Sequence, residues 1–137
     1  MARTNQKNYL IISDTQIPFE LAGALDFCRR VQKEFKIPKE NIIHVGDIDD
    51  QYWGSSYKKD IMANHTAMQE IKETIEIFKD WYKAFPKMRL CTSNHGDRWR
   101  KKALDADIPE VMLRRYRDIM EMPRGWRIKD RWDINTK

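Results

Sequence analysis

Cysteine is scarce in this sequence, which has only Cys28 and Cys91 among its 137 residues. Their spacing fits neither a zinc site nor a redox motif, and we expect two reduced thiols among apolar neighbours. No apolar run approaches the roughly 20 residues that a membrane span needs. The first ten residues, MARTNQKNYL, contain no signal-peptide core. We therefore expect a chain without a membrane partner and with a cytoplasmic location.

Negative charge is in the minority, since 26 Lys and Arg residues stand against 21 Asp and Glu and give a net charge of +5. The excess lies late in the chain, between Arg98 and Arg131. Such a balance favours an anionic partner such as nucleic acid or a phosphate compound. The same charges also suit a solvated helix face, so this alternative stays open.

The apolar pattern predicts an α/β fold with a mostly parallel sheet flanked by helices. Residues 8–13, 41–46 and 88–93 are short apolar runs, typical of parallel strands buried on both faces. Between them we predict amphipathic helices at 21–35 and at about 61–85. The predicted core stripes are Leu21, Ala24, Leu25, Cys28, Val31 and Phe35 on the first helix, and Met68, Ile71, Ile75, Phe78 and Tyr82 on the second.

We assign residues 1–137 to a single domain, because this length is ordinary for one compact unit. Residues 98–137 form a basic, helical tail in this prediction. Pro109 opens a helix that carries Val111, Met112, Tyr116, Ile119 and Met120 on one stripe, which is more often core packing than a ligand surface. A turn and a short strand are the expectation beyond residue 120.

Each predicted strand ends in a polar cluster, at residues 13–16, 46–50 and 93–97. Ligands of open α/β sheets bind outside the carboxyl ends of the strands, so Asp14, Asp47 and Asn94 are expected to converge. Converging carboxylates need a positive partner, and oxygen donors suit Mn²⁺, Mg²⁺, Fe²⁺ or Zn²⁺. Each motif taken alone has a structural explanation, such as a turn with an Asx cap. Likewise, His44 is expected to be a hydrogen-bonded core residue, and His65 suits either a surface or a pocket.

In order, these motifs resemble those of the calcineurin-like metallophosphoesterases, especially phage and bacterial members. The family pattern is D-x-H, then G-D-x-x-D, then G-N-H-D/E, on the strand-to-helix loops of an α/β/β/α sandwich. Here the matching stretches are Asp14-Thr15-Gln16, Gly46-Asp47-Ile48-Asp49-Asp50 and Asn94-His95. The resemblance covers residues 8 to about 105 and implies half of such a sandwich. If the source is a virus, the expected location is the host cytoplasm.

The resemblance implies a site with two divalent cations, Mn²⁺ first, and hydrolysis of a phosphomonoester or phosphodiester by a metal-activated water. Asp14 and Gln16 would hold the first cation, Asp47 would bridge the two cations, and Asn94 would hold the second. Near the phosphate, His95 would be the catalytic group, and Asp50 would orient its ring. Arg98 would bind substrate phosphate oxygens.

The sequence also departs from the family pattern. Gln16 stands where the family has a His ligand, and Ser93 replaces the usual Gly before Asn94. Gln51 stands where phosphoprotein phosphatases carry Arg. No histidine follows His95, whereas the family supplies a further His and a G-H-x-H pair from its second sheet.

Three explanations of the missing histidines remain open. A complementing C-terminal phosphoesterase chain supplies them, the chain is truncated, or the half-domain has a new role. The alternative function is therefore a weak or inactive half-domain that binds nucleic acid or a protein through its basic C-terminal region. If the half-domain stands alone, its exposed sheet face must be covered by the C-terminal segment or by a homo-oligomer.

Overall fold

The structure is a computed structural model that describes residues 7–55 and 66–136. One sheet of four parallel strands runs in the order β1-β2-β3-β4, and it confirms the predicted α/β class. The strands are β1 (Leu10–Ile12), β2 (Ile42–His44), β3 (Met88–Cys91) and β4 (Trp126–Lys129). The helices are α1 (Ala24–Glu34), α2 (Ala67–Ala84), α3 (Arg98–Asp105) and α4 (Tyr116–Ile119). Single 3₁₀ turns lie at Lys39–Asn41, Tyr52–Gly54 and Glu110–Met112.

The main core lies between one face of the sheet and the helices α1 and α2, which contact each other. Alternate strand residues point to this face, as a period of two requires. Trp126 on β4 is fully buried, and its indole Nε1 donates to the Phe85 carbonyl oxygen at 2.7 Å. The core side chains from the strands and α2 are Leu10, Ile12, Ile42, Met88, Leu90, Trp126, Phe78 and Trp81.

The second face of the sheet is only partly covered, so the prediction that β1 is buried on both faces is wrong. Ile11 on this face is 56% exposed, because both long helices pack on the opposite side. Towards β4 the face becomes basic: Arg89 and Arg127 are direct cross-strand partners, and Lys129 follows. We call Arg89, Arg127 and Lys129 the basic face cluster.

The C-terminal segment, residues 130–136, crosses this second face from β4 to β1. The Trp132 ring lies over the basic face cluster, with its centroid 4.6 to 5.8 Å from the three cationic groups. Its indole Nε1 donates to the Leu90 carbonyl oxygen at 3.1 Å. Further along, the Tyr9 hydroxyl donates to the Asn135 carbonyl oxygen at 3.2 Å. The face is therefore covered in part by the chain itself, which is one of the two expected solutions.

The buried stripe of α2 matches the predicted one in part: Phe78 is a core residue, and Ile75 and Tyr82 pack against the core. Its fully buried members are Glu70, Thr74, Phe78 and Trp81, whereas Met68 is 60% exposed. Hydropathy misses the first two because their polar atoms are hydrogen-bonded inside the protein: Glu70 accepts from the Tyr52 backbone N–H at 2.6 Å, and Thr74 donates to the Glu70 carbonyl oxygen. The helix begins after Thr66 with a capping box, and residues 61–65 of the predicted helix, with His65, lie outside the described residues.

In α1, Leu25, Cys28 and Val31 pack against the core as predicted, but Leu21 is 82% exposed and Phe35 is 56% exposed. The predicted stripe fails at its ends because the helix starts only after Gly23, whose φ of 83° breaks the helical backbone, and ends at Glu34, before Phe35. Both cysteines are free thiols of intermediate burial, and burial raises their pKa values.

The tail is less helical than predicted, because only 98–105 and 116–119 are α-helical and 126–129 adds the fourth strand. Leu113 and Arg115 are extended and separate the 3₁₀ turn at Glu110–Met112 from α4. Val111 and Met112 consequently stay 89% and 74% exposed, whereas Tyr116, Ile119 and Met120 reach the core. Gly125 opens β4, and a Cβ there would collide with the Pro86 carbonyl oxygen.

No helix of the described part of the chain is long and apolar enough to cross a lipid bilayer.

Candidate metal centre at the strand ends

The three polar loops touch one another at the carboxyl edge of the sheet. Beyond β1 and β2 the backbones remain paired, since the Asp14 N–H donates to the Gly46 carbonyl oxygen at 3.3 Å and the Gln16 N–H donates to the Asp47 carbonyl oxygen at 3.1 Å. The loop after β3 packs on Gly46, where an added Cβ would lie 3.0 Å from the Cβ of Ser93. Gly46 therefore permits the close approach of the second and third motifs.

Left-handed backbone conformations accumulate at these strand ends. Asp14, Gln16, Asp47 and Gln51 all have φ between 47° and 54°, although none of them is glycine. Aspartate tolerates this region better than most residues, but four such positions in adjoining loops store backbone strain. Strain of this kind is concentrated at binding and catalytic sites. The backbone thus marks the same loops that the sequence motifs mark.

Within the part of the chain that the structure describes, Asp14 and Asp47 lack a cationic partner. Neither forms an ion pair with a Lys, Arg or His side chain among residues 7–55 and 66–136. In addition, Asp47 Oδ1 is shielded from solvent and has no hydrogen-bond partner. A buried carboxylate oxygen without a partner is costly, and this atom is therefore the clearest sign of an absent positive group.

His44 lies beneath these carboxylates and is neutral. Its Nδ1 accepts from the Gly46 N–H at 3.2 Å, so Nε2–H donates to the Thr15 hydroxyl at 3.0 Å. The Thr15 hydroxyl in turn donates a hydrogen bond to the Ile48 carbonyl oxygen at 2.9 Å. Burial lowers the pKa of His44 to about 4, although Asp14 and Asp47 act in the opposite direction. The expected satisfied core histidine is confirmed, and it gives the carboxylates no positive charge.

A cavity of about 880 Å³ opens at this edge of the sheet, and Asp14, Asp47 and Asn94 all line it. Three of the seven predicted site residues thus share one wall, as the convergence of strand ends requires. Gln16, Asp50, His95 and Arg98 do not line it. Gln16 is held beside Asp47 through the backbone, and its side chain is partly buried.

His95, Asp50 and Arg98 form a hydrogen-bonded group next to the cavity. His95 Nδ1–H donates to Asp50 Oδ1 at 3.2 Å, which is the contact implied by the resemblance. Arg98 donates to His95 Nε2 at 3.0 Å and to the Asp50 carbonyl oxygen at 2.7 Å. In this arrangement Arg98 occupies the imidazole nitrogen that would face a substrate, so it positions His95 and presents no free fork to a phosphate.

Sequence reasoning gave Asp49 and Gln51 no role, yet both are buried at the centre of the motif loops. Gln51 Nε2 donates to Asp49 Oδ2 and to the Gly96 carbonyl oxygen, both at 2.9 Å, and its Oε1 accepts from the Trp99 N–H at 3.0 Å. It thereby ties the second motif to the third and to α3. The G-D-x-x-D spacing placed these residues in the right loop, but nothing in the sequence indicated their burial.

Burial raises the pKa of Asp49 to about 6, with the hydrogen bond from Gln51 acting in the opposite direction. Asp49 Oδ1 and the hydroxyl of Tyr116, which face each other, make no hydrogen bond of normal length and angle. Asp49 also lines the cavity, so the carboxyl group with the raised pKa lies at the acidic edge of the sheet.

The donors fit a divalent cation in part. Asp14 and Asp47 supply carboxylate oxygens, Asn94 supplies an amide oxygen, and both donor types suit hard cations. However, the described residues contain no cluster of three or more His, Cys, Asp and Glu side chains that could hold a metal ion. A two-metal site built on this edge therefore needs donors beyond those three.

The chain matches no family model, no curated protein and no solved structure.

Proposed function

We propose that this chain is a metal-dependent phosphoesterase of the calcineurin-like type, or the part of one that carries the first three motifs. The observation that carries the proposal is the buried Oδ1 of Asp47, which has no hydrogen-bond partner among the described residues, in the loop adjoining Asp14, which forms no ion pair with them. Both line one cavity with Asn94 at the carboxyl edge of a parallel sheet. A cytoplasmic location belongs to the same proposal.

In this proposal Asp14 and Gln16 would hold one divalent cation, Asn94 would hold a second, and Asp47 would contribute to both. Two such cations supply a water of lowered pKa and neutralise phosphate oxygens. Mn²⁺ is our first candidate, and Mg²⁺, Fe²⁺ and Zn²⁺ are the alternatives. The remaining ligands come from a second chain or from further sequence with the histidines that this sequence lacks after His95.

The proton chemistry belongs to His95, whose ring is oriented by Asp50 and Arg98. Because His95 Nδ1–H donates to Asp50, Nε2 is the ring nitrogen that would contact a phosphate or a leaving group. Arg98 must release Nε2 before His95 can do so. Arg98 then has a free guanidinium edge for a phosphate oxygen, which reconciles its present contacts with the substrate-binding role.

Calorimetry with Mn²⁺ tests the metal part of this proposal. Wild-type protein should bind the cation, Asp47→Asn should bind it at least tenfold more weakly, and Asp107→Asn should match wild type. Asp107 is a matched control because its φ of 59° is also left-handed and its side chain is exposed outside the cavity. Equal affinities of all three proteins would remove the proposal.

Hydrolysis of bis(p-nitrophenyl) phosphate and p-nitrophenyl phosphate tests the reaction. We expect weak turnover by the chain alone and a large increase with a complementing chain that carries a Gly-His-x-His segment. Turnover that survives Asp47→Asn unchanged would exclude this site as its source.

One observation favours the second candidate function, a nucleic-acid-binding module. The basic face cluster puts three cations around Trp132, and none of the three forms an ion pair within the described part of the chain. Arg89 opposite Arg127 is an unfavourable like-charge pair that a bound polyanion would relieve.

A further inference from the structure

The buried side-chain atoms that lack a hydrogen bond among the described residues all belong to the cavity at the strand ends. They are Asp47 Oδ1, Asp49 Oδ1 and the Tyr116 hydroxyl oxygen, and all three residues line that cavity. Asp49 is only 1% exposed, and its Oδ2 already accepts from Gln51 at 2.9 Å, so Oδ1 is the atom left for a ligand. Because an unsatisfied buried polar atom is costly, three of them in one cavity indicate a site for a hydrogen-bond donor from outside these residues.

The lining of the cavity is acidic overall. Its charged residues are the six carboxylates Asp14, Asp47, Asp49, Asp97, Glu110 and Asp130 and the three arginines Arg100, Arg114 and Arg115. Arg100 neutralises Asp97 at 3.7 Å and Glu110 at 2.6 Å. The other four carboxylates form no ion pair with any residue of the ranges 7–55 and 66–136. The cavity therefore favours a cation over an anion.

The unsatisfied atoms suit an alkyl ammonium group. A divalent cation needs its ligands within about 2.0–2.6 Å of one point, and the described residues hold no cluster of three His, Cys, Asp or Glu side chains that could provide them. An ammonium group donates three separate hydrogen bonds of about 2.8 Å, so it can serve oxygens that lie further apart. Its three N–H donors match the three unsatisfied oxygens, two of which belong to carboxylates.

The rest of the lining suits an alkyl chain with a further ammonium group. The volume of about 880 Å³ far exceeds one ammonium group, and Leu90 and Ile128 add aliphatic wall. Asp130 directly follows β4, and two strand spacings, about 10 Å, separate β4 from β2, whose end carries Asp47. The Thr92 hydroxyl donates to Asp130 Oδ1 at 2.7 Å and holds this carboxylate at the edge. A second ammonium group at that distance from the first would meet it.

We infer that the cavity binds a linear polyamine, whose amines are protonated at neutral pH. One ammonium group donates to Asp47, Asp49 and Tyr116, the alkyl chain crosses the strand ends, and a second ammonium group pairs with Asp130. The inference goes beyond the proposed function and does not depend on it, because Asp49, Tyr116 and Asp130 are not among the proposed metal ligands. Asp47 is shared, so Mn²⁺ and the polyamine should compete.

Calorimetry with spermidine on metal-free protein tests this inference. Wild type should bind spermidine, and Asp49→Asn should bind it at least tenfold more weakly, because a charge-assisted hydrogen bond is lost. Tyr116→Phe keeps the ring and the net charge and should weaken binding about threefold, through the loss of a neutral acceptor. Asp107→Asn also removes one negative charge, but Asp107 is exposed and outside the cavity, so this variant should match wild type.

The second ammonium group is tested with Asp130→Asn. This variant should bind spermidine about threefold more weakly, as expected for an exposed ion pair, and should bind butylamine as wild type does, because a monoamine has no second charge. A Gly-Lys-Gly peptide with blocked ends offers one ammonium group and should bind wild type more weakly than spermidine does. Equal affinity of this peptide and spermidine would overturn the assignment to a free polyamine, because a lysine side chain of a protein would then satisfy the site.

Mn²⁺ calorimetry on the same samples separates this inference from the proposed function. Tyr116→Phe should bind Mn²⁺ as wild type does while it binds spermidine more weakly, which also shows that the variant is folded. Absence of spermidine binding by wild type, or equal spermidine affinity of wild type, Asp49→Asn and Asp107→Asn, overturns the inference; normal Mn²⁺ binding then leaves the phosphoesterase proposal standing. Spermidine binding with the expected losses, by a wild type that binds no Mn²⁺, supports the inference and overturns the phosphoesterase proposal.

Discussion

Replacement of Asp47 by Asn should change the stability of the protein in opposite directions with and without metal. Among residues 7–55 and 66–136, Asp47 Oδ1 is buried without a hydrogen bond, and Asp14, which has no cationic partner there either, lies in the adjoining loop. Asn removes the negative charge, keeps nearly the same volume, and tolerates the left-handed backbone with φ of 52°. Without metal, the variant should therefore be more stable than wild type.

The expected gain follows from the cost of the orphaned atom. An unsatisfied buried polar group costs about 1–3 kcal/mol, and an Asn at this position relieves only the charged part of that cost. We expect a gain of about 1 kcal/mol in the metal-free state, or roughly 3–5 °C in Tm for a chain of this size. With Mn²⁺ at a hundred times its dissociation constant, wild type should gain about 2.7 kcal/mol, whereas Asp47→Asn should gain little.

The assay is thermal unfolding of wild type, Asp47→Asn and Asp107→Asn in EDTA and in Mn²⁺. The order of Tm for wild type and Asp47→Asn should reverse between the two conditions, and Asp107→Asn should follow wild type in both. A variant that is less stable than wild type in EDTA, or equally stabilised by Mn²⁺, would refute the reasoning, because Asp47 would then already have a partner within the protein.

Three further predictions concern stability. His44, with its pKa lowered to about 4, makes stability fall as the pH drops from 6.5, whereas Asp49, with its pKa raised to about 6, makes stability rise over nearly the same interval. The free energy of unfolding of wild type in urea should thus depend little on pH, whereas that of Asp49→Asn should fall by roughly 2–3 kcal/mol between pH 6.5 and 4. A free energy of unfolding that stays constant with pH in the variant would contradict the opposing roles of His44 and Asp49. Gly125→Ala should lower the free energy of unfolding by about 3 kcal/mol or prevent folding, because the added Cβ meets the Pro86 carbonyl oxygen. At Gly23 an added Cβ has free space, so Gly23→Ala should cost only about 1–2 kcal/mol, for its left-handed backbone. Equal losses of stability for the two variants in chemical denaturation would argue against the clash. Trp132→Ala should cost about 1–2 kcal/mol in low salt and less in high salt, since salt screens the repulsion within the basic face cluster; a loss independent of salt would point to packing alone.

The sheet and the convergence of three candidate site residues could be predicted because both follow from topology. Parallel strands joined by helices place their carboxyl ends on one edge, so Asp14, Asp47 and Asn94 had to lie near one another once three strands were recognised. No side-chain detail was needed for that step. The sequence signal for the fourth strand was weaker, because charged Arg127 and Lys129 interrupt the apolar pattern of Trp126 and Ile128. The strand is also only four residues long.

Burial of polar groups could not be predicted, because it depends on partners that are distant in sequence. From the sequence, Glu70 is expected to face solvent. In the structure its carboxylate accepts hydrogen bonds from the backbone N–H groups of Tyr52 and Trp53, which lie 18 and 17 residues away in the sequence. Gln51 is likewise buried with a hydrogen-bond partner only because the fold brings the Gly96 carbonyl oxygen, 45 residues away in the sequence, beside its side chain. Hydropathy assigns such residues to the surface, and this error displaced the predicted stripe of α2.

The crossing of the sheet by residues 130–136 has a consequence for any protein that packs on this side of the molecule. Such a partner finds Ile11 and Val45 accessible near β1 and β2, at 56% and 48% exposure, but meets Trp132 over β3 and β4. A complete second layer would have to displace the chain's own segment first. Binding of the partner and docking of residues 130–136 on the sheet would then compete. A change that weakens the contact of the Trp132 indole with its three cations would therefore raise the affinity of the partner.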